Sequence, residues 1–188
     1  MLNLKRLQKS EAEVGVESLI KLCGDYPDRP GMKDTPQRVT KAFLEMTSGY
    51  EKDPAAILSK RFECTSDEMV VVRGIQFVSL CEHHMLPFTG TADIAYIPNG
   101  FVVGLSKLPR LVECFAKRFQ IQEGLTMQIA HAMKVAVSQH VGVVLTAKHS
   151  CMGCRGVMQP NAEMVTSCML GAFKENQTTR SEFLSLVK

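Results

Sequence analysis

Two short windows constrain this chain more than anything else in it: Cys81-Glu82-His83-His84 and His149-Ser150-Cys151-Met152-Gly153-Cys154. They hold three of the five histidines and three of the seven cysteines, a clustering that scattered residues would rarely produce. Each window closes a run with strand patterning, Glu68 to Leu80 and Val141 to His149, both crowded with β-branched residues. Strands of one sheet can bring their ends together across any separation in sequence. The windows therefore predict a fold in which two distant strand ends meet and share chemistry.

The sequence around them fits such a sheet. Thr89 to Ile97 and Phe101 to Leu105 read as further strands, joined across Asn99-Gly100, a dipeptide that favours a tight hairpin. Ser106 is placed to cap a helix that carries Leu108, Leu111, Val112, Phe115 and Phe119 inward, with Pro109 tolerated in its first turn. A second helix is expected from about Thr126 to His140, burying Ile129, Met133, Ala136 and Val137. Glu163 to Phe173 reads as a last strand and Thr179 to Val187 as a closing helix. Strands, two helices, then strands make an α+β architecture, an antiparallel sheet with helices on one face.

Upstream the pattern is helical. Ser10 and Glu13 form a capping box before Val16, Leu19, Ile20 and Cys23, and the helix should end near Gly24. Tyr26-Pro27-Asp28-Arg29-Pro30-Gly31 is a linker, because its prolines fix φ and remove donors. Thr35 as N-cap and Pro36 as first helical residue open a second helix, with Val39, Ala42, Phe43 and Met46 on one face and Arg38 and Lys41 on another. The expected division is an N-terminal helical segment, 1–60, and a sheet-bearing domain, 61–188.

A chain of 188 residues with 45% apolar side chains can bury one main core. Its formal charge of +3, from 22 basic and 19 acidic residues, is too weak to announce a nucleic-acid or membrane surface, so any anion site must be local. Met1-Leu2-Asn3-Leu4-Lys5-Arg6 leads into no apolar leader, and no stretch approaches the roughly 18 apolar residues of a membrane span. A cytoplasmic protein is expected. In that reducing compartment the odd number of cysteines reads as thiols or metal ligands.

Zinc accepts thiolate and imidazole in a tetrahedron, and Cys81, His84 and Cys151 would supply three corners. Two thiolates and a neutral imidazole balance the dication, and an open fourth corner would lower the pKa of a bound water from 15.7 to about 7. The competing reading is a closed structural site in which Cys154, spaced Cys-x-x-Cys from Cys151, plugs that corner. The plainest is buried thiols with no metal. His83 and His149 flank the ligands and are candidate general acid and base. His131 and His140 fall within the helical pattern and read as structural.

Six motifs, taken together, resemble GTP cyclohydrolase I: Thr35-Pro36-Gln37-Arg38-Val39, Cys81-Glu82-His83-His84-Met85-Leu86-Pro87-Phe88, Gly104-Leu105-Ser106-Lys107, Gln120-Ile121-Gln122-Glu123, His149-Ser150-Cys151-Met152 with Arg155-Gly156-Val157, and Thr178-Thr179-Arg180-Ser181-Glu182-Phe183-Leu184. They run in order from about Arg29 onward. The resemblance implies a tunnelling fold whose sheets join into pentameric rings, stacked as a homodecamer with active sites between subunits. It implies zinc on Cys81, His84 and Cys151, and conversion of GTP and water to formate and 7,8-dihydroneopterin triphosphate, the first step toward folate and tetrahydropterin. It places His83, His149 and Ser106 in proton transfer, Gln122 and Glu123 at the guanine, and Arg38, Lys41, Lys107, Arg110 and Arg155 at the triphosphate. The chain departs from the family at Gly124, where arginine is usual, at Cys154, and at Pro109.

Overall fold

The computed structural model describes residues 9–188, with side chains from residue 11 onward, and the chain divides into two compact units, Met1–Thr47 and Ser48–Lys188. Met1 to Arg6 and the side chain of Ser10 lie outside the described residues.

The first unit pairs helix α1 (Lys9–Leu22) with helix α2 (Thr35–Met46). Gly24 ends α1 in the left-handed conformation, φ +85°, which glycine adopts without a Cβ clash. Ser10 lies inside α1 rather than before it. Asp34, not Thr35, is the N-cap of α2; the Thr35 hydroxyl turns instead toward the Met32 sulfur, 3.6 Å away.

In the second unit a 3-10 turn (Ser48–Glu51) and short helix α3 (Pro54–Ile57) precede strands β1 (Arg61–Glu63), β2 (Val70–Cys81), β3 (Pro87–Tyr96) and β4 (Phe101–Val103). Helix α4 (Lys107–Ala116), strand β5 (Phe119–Gln120) and helix α5 (Gln122–Ala136) follow. Strand β6 (Val141–His149), the single turn α6 (Ser150–Gly153), strand β7 (Met164–Leu170) and helices α7 (Ala172–Glu175) and α8 (Gln177–Leu186) complete it. The main sheet runs β5-β2-β3-β6-β7, antiparallel except for β5, which lies parallel to the end of β2. This is the expected α+β class.

Alternation along the strands builds two apolar faces. Ile94 and Tyr96 of β3 and Val143 and Leu145 of β6 pack with Leu108 and Leu111 of α4 and Leu125, Ile129 and Met133 of α5 in the principal core. The intervening residues, Ala95 and Val144, face the other way, where α7 and α8 cover one end of the sheet with Phe173 and Phe183. Those rings meet edge to face at 5.5 Å, and a Cβ on Gly142 would press against both.

Four expected elements differ. Helix α4 stops at Ala116, so Phe119, expected on its inward face, lies in strand β5 instead. The hairpin across Asn99-Gly100 does not form, because both edges of β3 are already taken, by β2 and by β6; β4 pairs with β1 instead, Arg61 opposite Val103. The second central helix opens at Gln122, and Thr126 sits one turn inside it with its hydroxyl bonded back to the Gln122 carbonyl at 2.7 Å. The last strand stops at Leu170, where Gly171 takes φ +57° and the chain turns into α7.

The register carries the site. Leu80 pairs with Pro87, and Phe88 pairs with His149, so the ends of β2 and β6 flank the start of β3 at one edge of the unit. Gly90 is tied to that register: a Cβ there would collide with the Thr146 carbonyl oxygen and with Ala147. Gly90→Ala should therefore destabilise the protein at the upper end of the roughly 1–3 kcal/mol typical of overpacking. Urea unfolding followed by circular dichroism would measure it, and unchanged stability would refute the close approach.

Candidate metal centre and active site

The first window sits in a tight loop closed by its own backbone. Cys81 donates its N–H to the Leu86 carbonyl and Met85 donates to Cys81, both at 2.8 Å. Met85 accepts φ +57° to make this turn, a left-handed conformation that costs a side-chain-bearing residue about 1–2 kcal/mol. The result puts Cys81 and His84 on the same side of the loop. The second window leaves β6 through extended His149 and coils at once into α6, which carries Cys151 back toward them.

The ligand atoms of Cys81, His84 and Cys151 all lie within 4.8 Å of one another, and Cys81 Sγ is 3.9 Å from His84 Nδ1. Zinc–sulfur bonds of 2.3 Å at tetrahedral angles put neighbouring ligand atoms about 3.7 Å apart, so the donor set and its spacing fit such an ion. His83 Nδ1 is also 3.9 Å from Cys81 Sγ, yet only His84 joins the three-membered group with Cys151. Cys154 is not part of that group; it is exposed at the end of α6, its N–H bonded to the Ser150 carbonyl. Burial raises the pKa of the Cys151 thiol, and the charge of Cys81 and a hydrogen bond to it raise it further. A bound cation would reverse that penalty and hold both sulfurs as thiolates.

His149 stacks face to face on Phe88, ring centroids 4.5 Å apart and planes within 3°. Its Nε2 is 2.8 Å from Gln122 Oε1. Burial lowers its pKa, against an upward pull from the charge of Glu123, which favours a neutral ring able to accept a proton. His83 is exposed beside Glu82, Nε2 to carboxylate 3.7 Å. Arg155 Nη1 lies 3.1 Å from His84 Nε2. Arginine only donates, so Nε2 accepts there; coordination through Nδ1 would place the ring proton on Nε2 and release Arg155.

Glu123 is exposed in the first turn of α5, within electrostatic reach of His149. Gln122, expected at the base beside it, is only 1% exposed, and its side-chain amide is taken up by protein partners. Its side chain is therefore not available to a ligand. Ser106, Lys107 and Arg110 gather at the opposite end of α4 from the metal cluster. The C-terminal end of α4 leads into β5, which pairs with Leu80 and Cys81, so ten helical residues, about 15 Å, separate the two groups. Lys107 and Arg110 line a surface cavity with Lys52, Asp53 and Glu113. Arg38 and Lys41 lie on α2 in the first unit, Arg38 paired with Asp34 at 3.2 Å. Sequence reasoning missed Phe88, although it stands in the first window's motif, and Thr166, which no pattern singles out.

Among the described residues no helix is long and apolar enough to cross a membrane. Residues 12–188 match the family model described as GTP cyclohydrolase I. GTP cyclohydrolase 1 of Coxiella burnetii (strain RSA 493 / Nine Mile phase I) is 49% identical over 175 residues, 92% of this chain and 95% of that one. GTP cyclohydrolase 1 of Campylobacter jejuni subsp. jejuni serotype O:6 is 51% identical over 174 residues, 92% of each chain. Among solved structures, the archaeosine synthase QueF-Like in the apo form aligns with TM-score 0.46 and 17% identity over 57% of this chain and 97% of that chain.

If the centre is the open three-residue set, His84→Ala and Cys151→Ser should each lower the metal bound per chain well below the wild-type ratio, and Cys154→Ser should leave it unchanged. Elemental analysis after dialysis against zinc would check this. Loss of metal in Cys154→Ser would point to the closed, four-ligand site.

Proposed function

The chain belongs to the GTP cyclohydrolase I family, and from that premise we propose that Cys81, His84 and Cys151 form its catalytic zinc centre. The activity is that of a GTP cyclohydrolase in pterin biosynthesis, on the tunnelling fold of the family. The convergence of two thiols and one imidazole from the ends of β2 and β6, with Cys154 outside the group, is the observation that carries the metal reading.

Zinc in that set would supply an acidified water and a Lewis acid at C8 of the purine. Glu123 accepts the two neighbouring N–H donors of guanine, at N1 and the exocyclic amine, and a site built on such a pair rejects bases lacking it by factors on the order of 10⁴. His149, held neutral by burial, transfers a proton at a ring nitrogen or at the ribose oxygen, with His83 as the second such group. Ser106 assists the later proton transfers. Formate leaves with C8, and ribose opening, rearrangement and reclosure give 7,8-dihydroneopterin triphosphate.

The triphosphate falls to Arg38, Lys41, Lys107, Arg110 and Arg155, whose guanidinium forks and ammonium groups suit phosphate oxygens. One chain does not bring Lys107 and Arg110 to its own metal, since α4 holds them and Ser106 a helix length away, whereas Arg155 lies beside His84. That supports active sites shared between copies, for which the family resemblance implies a homodecamer of stacked pentamers. In this reading residues 61–188 are the catalytic domain and 1–60 a helical extension contributing Arg38 and Lys41. The unpaired cysteines suit the cytoplasm.

The zinc-loaded protein given GTP should release formate and yield a pterin that fluoresces after oxidation, while guanosine is turned over poorly for want of phosphates. Cys151→Ala should abolish both products; full activity in that variant would remove the proposed centre. Lys107→Ala and His149→Ala, each inactive alone, should regain activity when unfolded and reassembled together, because some mixed sites then carry both native residues. No recovery in verified mixed oligomers would place the two residues in one copy's site.

A further inference from the structure

We infer that Gln122 is a positioning residue that fixes the proton of His149 on Nε2, so that His149 exchanges protons with substrate through Nδ1. The inference deepens the proposed role of His149 and rests on it.

The side-chain amide of Gln122 has one possible orientation. Its Nε2 lies 3.1 Å from the Leu145 carbonyl, 2.9 Å from the Met164 carbonyl and 3.1 Å from Thr166 Oγ1. Backbone carbonyls only accept, so the atom facing two of them must be the nitrogen; reversing the amide would set oxygen against oxygen in a site 1% exposed. The hydroxyls agree. Thr126 donates its one hydrogen to the Gln122 backbone carbonyl at 2.7 Å, so in its 2.7 Å contact with Thr166 the donor is Thr166, whose oxygen keeps lone pairs for the Gln122 amide.

Oε1 is then the atom 2.8 Å from His149 Nε2, and an amide oxygen can only accept. Nε2 must carry a hydrogen. A neutral imidazole has one, which leaves Nδ1 bare, and Nδ1 has no hydrogen-bond partner among the described residues. Phe88 fixes the plane of the ring by stacking, and Gln122 fixes its rotation within that plane. A proton-transfer histidine in the other tautomer would present a hydrogen where a lone pair is required. The partner of the unused nitrogen therefore decides which reaction the ring can perform.

Nitrogen-15 spectra of the zinc-loaded protein labelled at histidine would read this directly, with the His149 signals assigned by their loss in His149→Asn. Wild-type protein should show neutral His149 protonated on Nε2; protonation on Nδ1 would overturn the inference, and this measurement needs no variant of Gln122 to fold. In Gln122→Met, an unbranched replacement of similar volume, both tautomers should appear, and kcat should fall about 10- to 100-fold, the size of loss that follows removal of the partner orienting a metal-bound histidine, with little change in KM for GTP. A raised KM at unchanged kcat would instead make Gln122 a substrate contact. Failure of wild-type protein to turn over GTP would defeat the proposed activity while leaving the tautomer measurement intact, so the two failures are distinguishable.

Discussion

The antiparallel register of β3 between β2 and β6 is the constraint on which the site depends. Leu80 opposite Pro87 and Phe88 opposite His149 put the last residues of two strands beside the first residues of the third. A slip of one residue would turn His149 to the opposite face and take Phe88 from under its ring. Gly90 resists such a slip by letting β6 approach more closely than any side chain permits. Gln122 resists it again, since its amide ties the Leu145 carbonyl of β6 to the Met164 carbonyl of β7.

Residues with strong local chemistry were legible in the sequence. The β-branched runs gave strands β2, β3 and β6, and the apolar spacing of Leu108, Leu111 and Val112 gave α4. The two Cys/His windows gave the metal group, because few side chains bind a soft dication and they were bunched together. The Asn99-Gly100 hairpin was misleading because turn chemistry is local, whereas β3 has only two edges and longer strands occupy both. Strand β5, two residues long, has no periodicity to detect; it exists because the end of β2 offers an open edge. Gln122 looked like a substrate residue for the opposite reason. Its neighbour Glu123 is exposed, and sequence cannot say that the first turn of α5 points one of them out and the other in.

In the proposed reading, the same helix that organises the core keeps a single chain from completing its site. Helix α4 must bury Leu108, Leu111, Val112 and Phe115 along its length to hold the sheet, so its two ends cannot both reach the metal. Its C-terminal end leads into β5 beside Cys81, and its N-terminal end presents Ser106, Lys107 and Arg110 to solvent with Leu105, 70% exposed, next to them. The charges that suit a triphosphate are thus displayed outward by a packing requirement. Association between copies is a way to use them without loosening the core.

His84 and His149 differ in the ring nitrogen the fold occupies, and with it in the role proposed for each. At His84 the Nδ1 side faces the sulfur of Cys81 and only Nε2 is left for the exposed Arg155, so Nδ1 is the atom placed to hold a cation. At His149 the order is reversed: Nε2 is held by a buried amide that cannot turn, and Nδ1 is left bare. In the proposed role of His149 as proton carrier, its tautomer is set in advance by groups that do not move, the buried polar bonds of α5 and β7 that converge on it.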